Sequence, residues 1–154
     1  MDKTIHTLVD DIYKLVKTKN VDKNVDAEAE IEKFGEAMKD IMRKEFTNRG
    51  VYDGRKLRLS NIGKDDRYLW NHYNNAGPKE PMQPYTLVKF LYGHVIEELL
   101  LFLTRLSGHE VTDEQKVCEV EGIVGHMDCR IDGVVTDVKS ASSYGLPWTN
   151  RMDT

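Results

Sequence analysis

Apolar residues recur every three to four positions in three stretches of the chain, and this spacing predicts three amphipathic helices. The stretches are residues 4–18, 26–48 and 85–106. The longest ends at Ser107-Gly108, where glycine suits the left-handed position that follows a helix. Helices therefore dominate the first two thirds of the chain.

The segments between these helices have weaker patterns. Residues 50–64 look irregular, and a short helix is predicted from Ser60 through Trp70. Residues 71–84 contain asparagine, glycine and three prolines, which predicts a loop. The first half of the chain thus consists of helices joined by polar connections.

After residue 115, apolar and polar residues alternate, and this pattern predicts three strands. They are expected at about residues 116–124, 127–132 and 134–140. Helices followed by an antiparallel meander give an α+β fold, with the long helix packed on a three-stranded sheet. We divide the chain into an N-terminal helical region, residues 1–56, and a core domain, residues 57–154.

A two-residue turn at Asp132-Gly133 sets the register of the last two strands, because both residue types tolerate the positive φ angles of a type I′ turn. Asp128 then lies opposite Asp137, and Lys139 projects from the same face. Arg130 and Val135 share this polar face. The opposite face is predicted to belong to the core and carries Met127, Cys129, Ile131, Val134, Thr136 and Val138.

Composition narrows the class of protein. The chain has 154 residues, 40% hydrophobic and 31% charged, which suits a globular domain with a core of its own. It has neither an apolar run of membrane-spanning length nor the layout of a signal peptide. Its two cysteines, Cys118 and Cys129, are too few for a disulfide framework. We therefore expect a cytoplasmic protein that does not act in a membrane.

The net charge of −4 is unevenly distributed. Residues 43–67 carry eight basic and four acidic side chains, a local charge of +4, whereas the segments on either side are acidic. A basic segment combined with an acidic metal site suits an enzyme that acts on phosphodiesters. An ordinary solvated charged surface explains the same pattern equally well.

The paired carboxylates are the strongest candidates for chemistry. Like charges directly opposite each other destabilise a sheet, and a divalent cation between Asp128 and Asp137 would relieve their repulsion. Carboxylates suit Mg²⁺ or Mn²⁺, and Lys139 could stabilise charge in a transition state. His94 follows Gly93 on the long helix and is a candidate fourth member of the site. Glu97 and Glu98 are either solvated charges or part of the metal site.

Together, Gly93-His94, Gly125-x-x-Asp128 and Asp137-x-Lys139 resemble the motifs of the PD-(D/E)XK nuclease superfamily. The likeness covers about residues 57–142 and is closest to the RecB-like, phage-exonuclease and CRISPR-adaptation branch. Residues 59–70 also resemble the segment upstream of these motifs. The resemblance implies a restriction-endonuclease-like core and a metal-dependent DNA exonuclease, with a phage as one source of such a chain.

The resemblance also implies roles for individual residues. His94, Asp128, Asp137 and the Val138 carbonyl would bind Mg²⁺ or Mn²⁺, and Asp128, Asp137 and Lys139 would be catalytic. Linear or single-stranded DNA is the expected partner. Its backbone phosphates would be contacted by basic residues of the 43–67 segment and the last hairpin, namely Arg58, Lys64, Arg67 and Arg130.

The sequence departs from the family pattern at two places. Asp65-Asp66 stands where branch members often carry an iron–sulfur cysteine, so no iron–sulfur cluster is expected. Within the fifteen residues after Lys139 there is no Gln-x-x-x-Tyr motif, so we expect a C-terminally truncated or minimal form of the core. Two alternatives stay open: a non-catalytic nucleic-acid or protein-interaction domain that keeps the core, and a restriction-type endonuclease. A homo-oligomer or a protein partner also stays open.

Overall fold

The computed structural model of the chain describes residues 3–47, 58–74 and 82–139, and its architecture is α+β, as predicted. The described helices are α1 (Leu8–Thr18), α2 (Ala27–Phe46), α3 (Asp66–Asn74) and α4 (Pro84–Leu106), with a short 3₁₀ turn at Leu59–Asn61. The described strands are β1 (Val111–Thr112), β2 (Lys116–Val120), β3 (Ile123–Met127), β4 (Cys129–Ile131) and β5 (Val134–Thr136).

The three long helices lie close to their predicted bounds. Helix α1 begins only at Leu8, because the residues before it form a turn. In this turn the Thr7 amide donates a hydrogen bond to the Thr4 carbonyl at 2.9 Å. Helix α2 is capped by Asp26, whose Oδ1 accepts a hydrogen bond from the Ala29 amide at 3.2 Å. Among the helices of the described ranges, none is long and apolar enough to cross a membrane.

The predicted loop at residues 71–84 is wrong at both ends. Helix α3 continues to Asn74, and α4 already begins at Pro84, where a proline in the first turn needs no amide partner. The start of α3 is stabilised by Asp65, whose Oδ1 accepts hydrogen bonds from the Arg67 and Tyr68 amides. Residues 75–81 lie outside the described ranges.

The predicted meander is also wrong. Strands β1, β4 and β5 form one antiparallel sheet in that order, whereas β2 and β3 pair with each other in a separate two-stranded sheet. The β2–β3 hairpin, here called the outer hairpin, occupies the segment predicted as one strand at residues 116–124. The chain reverses at Glu121 and Gly122, whose φ angles of 49° and 78° suit a type I′ turn.

Two further strand boundaries differ from the prediction. The strand expected at residues 127–132 is interrupted at Asp128, because β3 ends at Met127 in one sheet and β4 begins at Cys129 in the other. The strand expected at residues 134–140 ends at Thr136, and residue 140 lies outside the described ranges. The third strand of the three-stranded sheet is the short strand β1, which the sequence pattern did not predict.

The β4–β5 hairpin, here called the inner hairpin, has the predicted register. Ile131 pairs with Val134, Arg130 with Val135 and Cys129 with Thr136. The turn residues Asp132 and Gly133 have φ angles of 49° and 79°. This two-residue turn therefore determines which residues of the two strands face each other.

The core lies where α4 packs on β4. Leu101, Cys129 and Ile131 are buried there, and Ile5, Leu8, Val111 and Val138 pack around them. Val134 was predicted to face the core, but it is 47% exposed. The reason is that Val134 directly follows the turn on the edge strand β5, whereas the helices cover the central strand β4.

A buried histidine joins helix α1 to the inner hairpin. The ring of His109 lies between two carboxylates, with Nδ1 2.7 Å from Asp132 Oδ2 and Nε2 3.2 Å from Asp11 Oδ2. Asp132 Oδ1 also accepts a hydrogen bond from the Glu110 amide at 3.1 Å. Asp132 therefore both forms the turn and fixes it to the helical layer.

A buried arginine joins α4 to α2. Arg105 Nε donates to Glu30 at 2.6 Å, and its Nη1 donates to Glu114 at 3.1 Å. Lys33 of α2 also contacts Glu114, at 2.7 Å. On the same pair of helices, Phe34 and Phe102 stack with their ring centroids 4.8 Å apart. These contacts hold α2 and α4 against the loop between β1 and β2.

Candidate functional site

Asp128 lies at the junction between the two hairpins. Its carbonyl accepts a hydrogen bond from the Gln115 amide at 2.8 Å, just before the outer hairpin. Its carboxylate Oδ2 accepts another from the Val138 amide at 3.0 Å, just after the inner hairpin. The Gln115 amide therefore fixes the main chain of Asp128, and the Val138 amide orients its half-buried carboxylate.

Asp137 lies next to Asp128, as the predicted register requires. The last paired residues of the inner hairpin are Cys129 and Thr136, so Asp128 and Asp137 are the next residue on either strand. Both aspartates border the same cleft. The structure thus brings together two oxygen-donor side chains on an accessible surface.

Lys139 balances the charge of this pair. Its ammonium contacts Asp137 Oδ2, and both side chains are mostly exposed. The contact with Lys139 lowers the pKa of Asp137 below its ordinary value, and partial burial opposes this shift only in part. The same contact raises the pKa of Lys139. Asp137 is therefore anionic and Lys139 cationic at neutral pH.

The structure separates the roles of Glu97 and Glu98, which the sequence pattern left open. Burial raises the pKa of Glu97, and the negative charge of Asp128 raises it further, whereas His94 lowers it. Burial also raises the pKa of Glu98, and the next largest effect on this pKa comes from the negative charge of Glu114, which contacts Arg105. Glu97 therefore belongs with Asp128, and Glu98 with the contacts between α2 and α4.

Gln115 connects Glu97 to Asp128. Its side-chain amide donates to Glu97 Oε1 at 2.9 Å, while its backbone amide binds the Asp128 carbonyl. Neither Gln115 nor the pairing of Glu97 with Asp128 was predicted, because these contacts bridge segments far apart in sequence. The positive φ of Gln115, 51°, also has no sequence signal such as glycine or asparagine.

The candidate residues border two clefts. Asp128 and Asp137 border a cleft of about 370 Å³ whose wall includes Leu59 from the 3₁₀ turn. Gly125 allows this approach, since a Cβ built on it would lie 2.7 Å from the Leu59 Cβ. His94, Val138 and Lys139 border a second cleft, of about 920 Å³. His94 is exposed there.

The predicted phosphate-binding cations are dispersed. Arg130 Nε donates to Asp113 at 3.1 Å, and its Nη1 donates to the Gly133 carbonyl, so it supports the inner hairpin. The backbone of Arg58 forms an isolated parallel β-bridge with Val124, beside the cleft that contains Asp128. Lys64 and Arg67 are exposed, and neither borders the clefts that contain Asp128 or Lys139. Part of the basic segment, residues 48–57, lies outside the described ranges.

The donor set suits a hard divalent cation. Magnesium prefers oxygen ligands, keeps several waters and is commonly held by one or two carboxylates, which is what Asp128 and Asp137 offer. Within residues 3–47, 58–74 and 82–139, no three histidine, cysteine, aspartate or glutamate side chains are grouped closely enough to hold a metal. Mg²⁺ held by Asp128 and Asp137 would keep several of its own waters.

The two cysteines are free thiols at different depths. Cys118 borders the Asp128 cleft and is half-buried. Cys129 is buried in the core, and burial raises the pKa of its thiol to about 11. Cys129 is therefore a packing residue, which the predicted core face already indicated.

Comparison with protein-family models, curated proteins and solved structures found no match to this chain.

Proposed function

We propose that this chain is a metal-dependent deoxyribonuclease of the exonuclease type. The observation that carries the proposal is the grouping of Asp128, Asp137 and Lys139 at the end of the inner hairpin, with two carboxyl groups on one cleft and a lysine in contact with one of them. The PD-(D/E)XK resemblance supports the same reading. So does Glu97, which adds a third acid on α4 near Asp128.

The proposed chemistry assigns a task to each group. Asp128 and Asp137 would hold Mg²⁺ or Mn²⁺, with His94 and the Val138 carbonyl as further candidate ligands. A bound ion supplies Lewis acidity for hydrolysis of a phosphodiester. The ammonium of Lys139 would stabilise negative charge that develops on the phosphoryl oxygens. The Val138 amide would keep the Asp128 carboxylate oriented.

The direct test is degradation of linear DNA with Mg²⁺ or Mn²⁺ by the wild type, Asp137→Asn and Lys139→Ala. We expect activity that EDTA abolishes and a loss of at least about a hundredfold in each variant, since removing one group that stabilises transition-state charge costs about that much. Lys39→Ala is a matched control, because Lys39 also pairs with a carboxylate, 2.7 Å away, but lies on the exposed face of α2. Equal activity of Lys139→Ala and the wild type would exclude Lys139 from catalysis.

Circular DNA separates the exonuclease from the restriction-type alternative. An enzyme that needs ends leaves closed circles intact, whereas an endonuclease opens them.

A non-catalytic interaction domain is the second candidate. It is favoured by the contacts of Arg130, one of the predicted phosphate-binding cations, with Asp113 and the Gly133 carbonyl. Titration with Mn²⁺ followed by calorimetry distinguishes the two proposals. Heat of binding that Asp128→Asn abolishes supports the nuclease, and no heat in the wild type supports the inert domain.

A further inference from the structure

The first half of α4 carries large apolar side chains that the described residues leave exposed. Tyr85, Val88 and Tyr92 are 64%, 65% and 65% exposed, and Phe90 is 56% exposed. Tyr85, Lys89 and Tyr92 are spaced four and three residues apart, so they follow one face of the helix. This face, here called the tyrosine face, is unusual for a surface that only meets water.

The tyrosine face leads directly to the candidate site. Lys89, Tyr92 and Gly93 border the cleft of about 920 Å³ whose opposite wall contains Val138 and Lys139. Tyr92 and Gly93 form part of the helix wall of this cleft. A ligand that extends from Tyr85 past Tyr92 therefore reaches Lys139.

The charges on this cleft favour an anionic occupant over an apolar protein segment. The ammonium of Lys89 lies 5.4 Å from the centre of the Tyr85 ring, which combines an aromatic surface with a cation. Lys139, which also contacts Asp137, supplies a second ammonium on the opposite wall, and Glu97 is the one acidic residue among the described residues of the lining. Aromatic rings alternating with cations are what single-stranded nucleic acid requires, because its bases stack on rings and its phosphates need positive charge.

We propose that the tyrosine face binds the unpaired bases of single-stranded DNA and directs its backbone towards Lys139. Tyr85 and Tyr92 would each stack one base; they lie two helical turns, or about 10 Å, apart along the axis. Lys89 would contact the intervening phosphate. A duplex hides the faces of its bases within the stack, so this surface selects a single strand or a frayed end. The proposal rests on the proposed nuclease function and names the substrate class of that site.

The test measures binding without cleavage. Anisotropy of a fluorescein-labelled oligothymidylate is followed in EDTA, with a matched hairpin duplex for comparison. We expect the single strand to bind more tightly than the duplex, and Tyr85→Ala and Tyr92→Ala each to weaken its binding by about fivefold to a hundredfold. Tyr92→Phe keeps the ring and should bind as the wild type does.

The controls separate stacking from general damage. Tyr13→Ala removes a tyrosine that is 70% exposed on α1, and it should leave binding unchanged. Circular dichroism melts establish that each variant folds. Lys89→Ala should lower the slope of log affinity against log salt by about 1, the effect of one lost phosphate contact.

The outcomes for the tyrosine face and for nuclease activity are distinguishable. Selective binding that depends on Tyr92, without Mg²⁺-dependent cleavage, would support the tyrosine face and reject the nuclease. If the wild type cleaves DNA and the tyrosine variants bind the single strand as tightly as the wild type does, the proposal for the tyrosine face is overturned and the nuclease proposal stands. If the tyrosine variants change only the sedimentation of the protein and not its DNA binding, α4 contacts a protein. That result would also overturn the proposal for the tyrosine face.

Discussion

At the residue scale, the main feature is a carboxyl group whose ionisation opposes the fold. Burial of Glu97 beside Asp128 raises its pKa, so the folded chain binds the proton of Glu97 more tightly than the unfolded chain does. The contribution of Glu97 to stability is therefore largest below its ordinary pKa and is lost as the pH rises through its folded pKa. A metal on Asp128 would reverse this preference by attracting the ionised form.

Glu97→Gln should stabilise the chain at neutral pH without added metal, because the amide replaces an ionised buried group and can still accept from Gln115. We expect the melting temperature at pH 7.5 to rise by about 2–4 °C, the change that 1 kcal/mol produces in a chain of this size. At pH 4 the difference should disappear, since Glu97 is protonated there in both states.

Thermal melts between pH 4 and pH 8 measure this difference, with Glu32→Gln on the exposed face of α2 as the control. A Glu97→Gln variant that is less stable than the wild type at pH 7.5 but not at pH 4 would show that ionised Glu97 supports the fold.

At the element scale, the glycine of the Gly-x-x-Asp motif has a packing role. Gly125 lies under the 3₁₀ turn, where Leu59 side-chain atoms approach to 2.7 Å from the position of an added Cβ. This turn closes one side of the cleft that contains Asp128 and Asp137. Gly125 therefore brings a distant segment to the site, in addition to any role that the nuclease resemblance implies.

Gly125→Ala should destabilise the chain by about 1–3 kcal/mol, because the new methyl group displaces Leu59. Gly35→Ala is the matched control, since its added Cβ has no neighbour within 4 Å on α2. That change should stabilise the chain by about 0.5–1 kcal/mol, as expected inside a helix. Urea unfolding measures both, and Leu59→Gly, which removes the Cβ that the new methyl group would meet, should rescue Gly125→Ala. Without this rescue, the turn would not be the cause.

The same scale shows what was predictable from the sequence. The helices follow from the spacing of apolar residues, and the inner hairpin follows from Asp132-Gly133, a strong local signal. The outer hairpin was missed because Glu121 is not a typical residue for a positive φ. The contact between Asp137 and Lys139 could be expected from the sequence, because the two residues are only two positions apart. The contacts of Gln115, His109 and Arg105 depend on tertiary packing, which no local pattern encodes.

At the scale of the whole molecule, buried charged side chains hold the helices and the loops of the sheet together around a small apolar core. Arg105 connects α4 to Glu30 of α2 and to Glu114, and its side chain is only 8% exposed. Its Nη2 is buried without a hydrogen-bond partner in the described residues. Such a cluster specifies how the helices are arranged, and it becomes costly when one charge is removed.

Arg105→Ala should lower the free energy of unfolding by about 3–5 kcal/mol, because Glu30 and Glu114 would keep their charges without this partner. Lys33→Ala removes a cation from the same cluster, but Lys33 is 50% exposed, so the expected loss is at most about 1 kcal/mol. Guanidinium unfolding of both variants measures the difference. Equal losses would mean that burial of Arg105 adds nothing to its pairing.

The change of sheet at Asp128 has a consequence for how the chain tolerates insertions and deletions. The outer turn at Glu121-Gly122 lies at the far end of its hairpin, so extra residues there leave the pairing of Lys116 with Met127 unchanged. Extra residues at Asp132-Gly133 would instead displace Asp132 from His109 and from the Glu110 amide, the contacts that fix this turn to the helical layer. Related chains are therefore expected to vary in length at the outer turn and to conserve the spacing from Asp128 to Asp137.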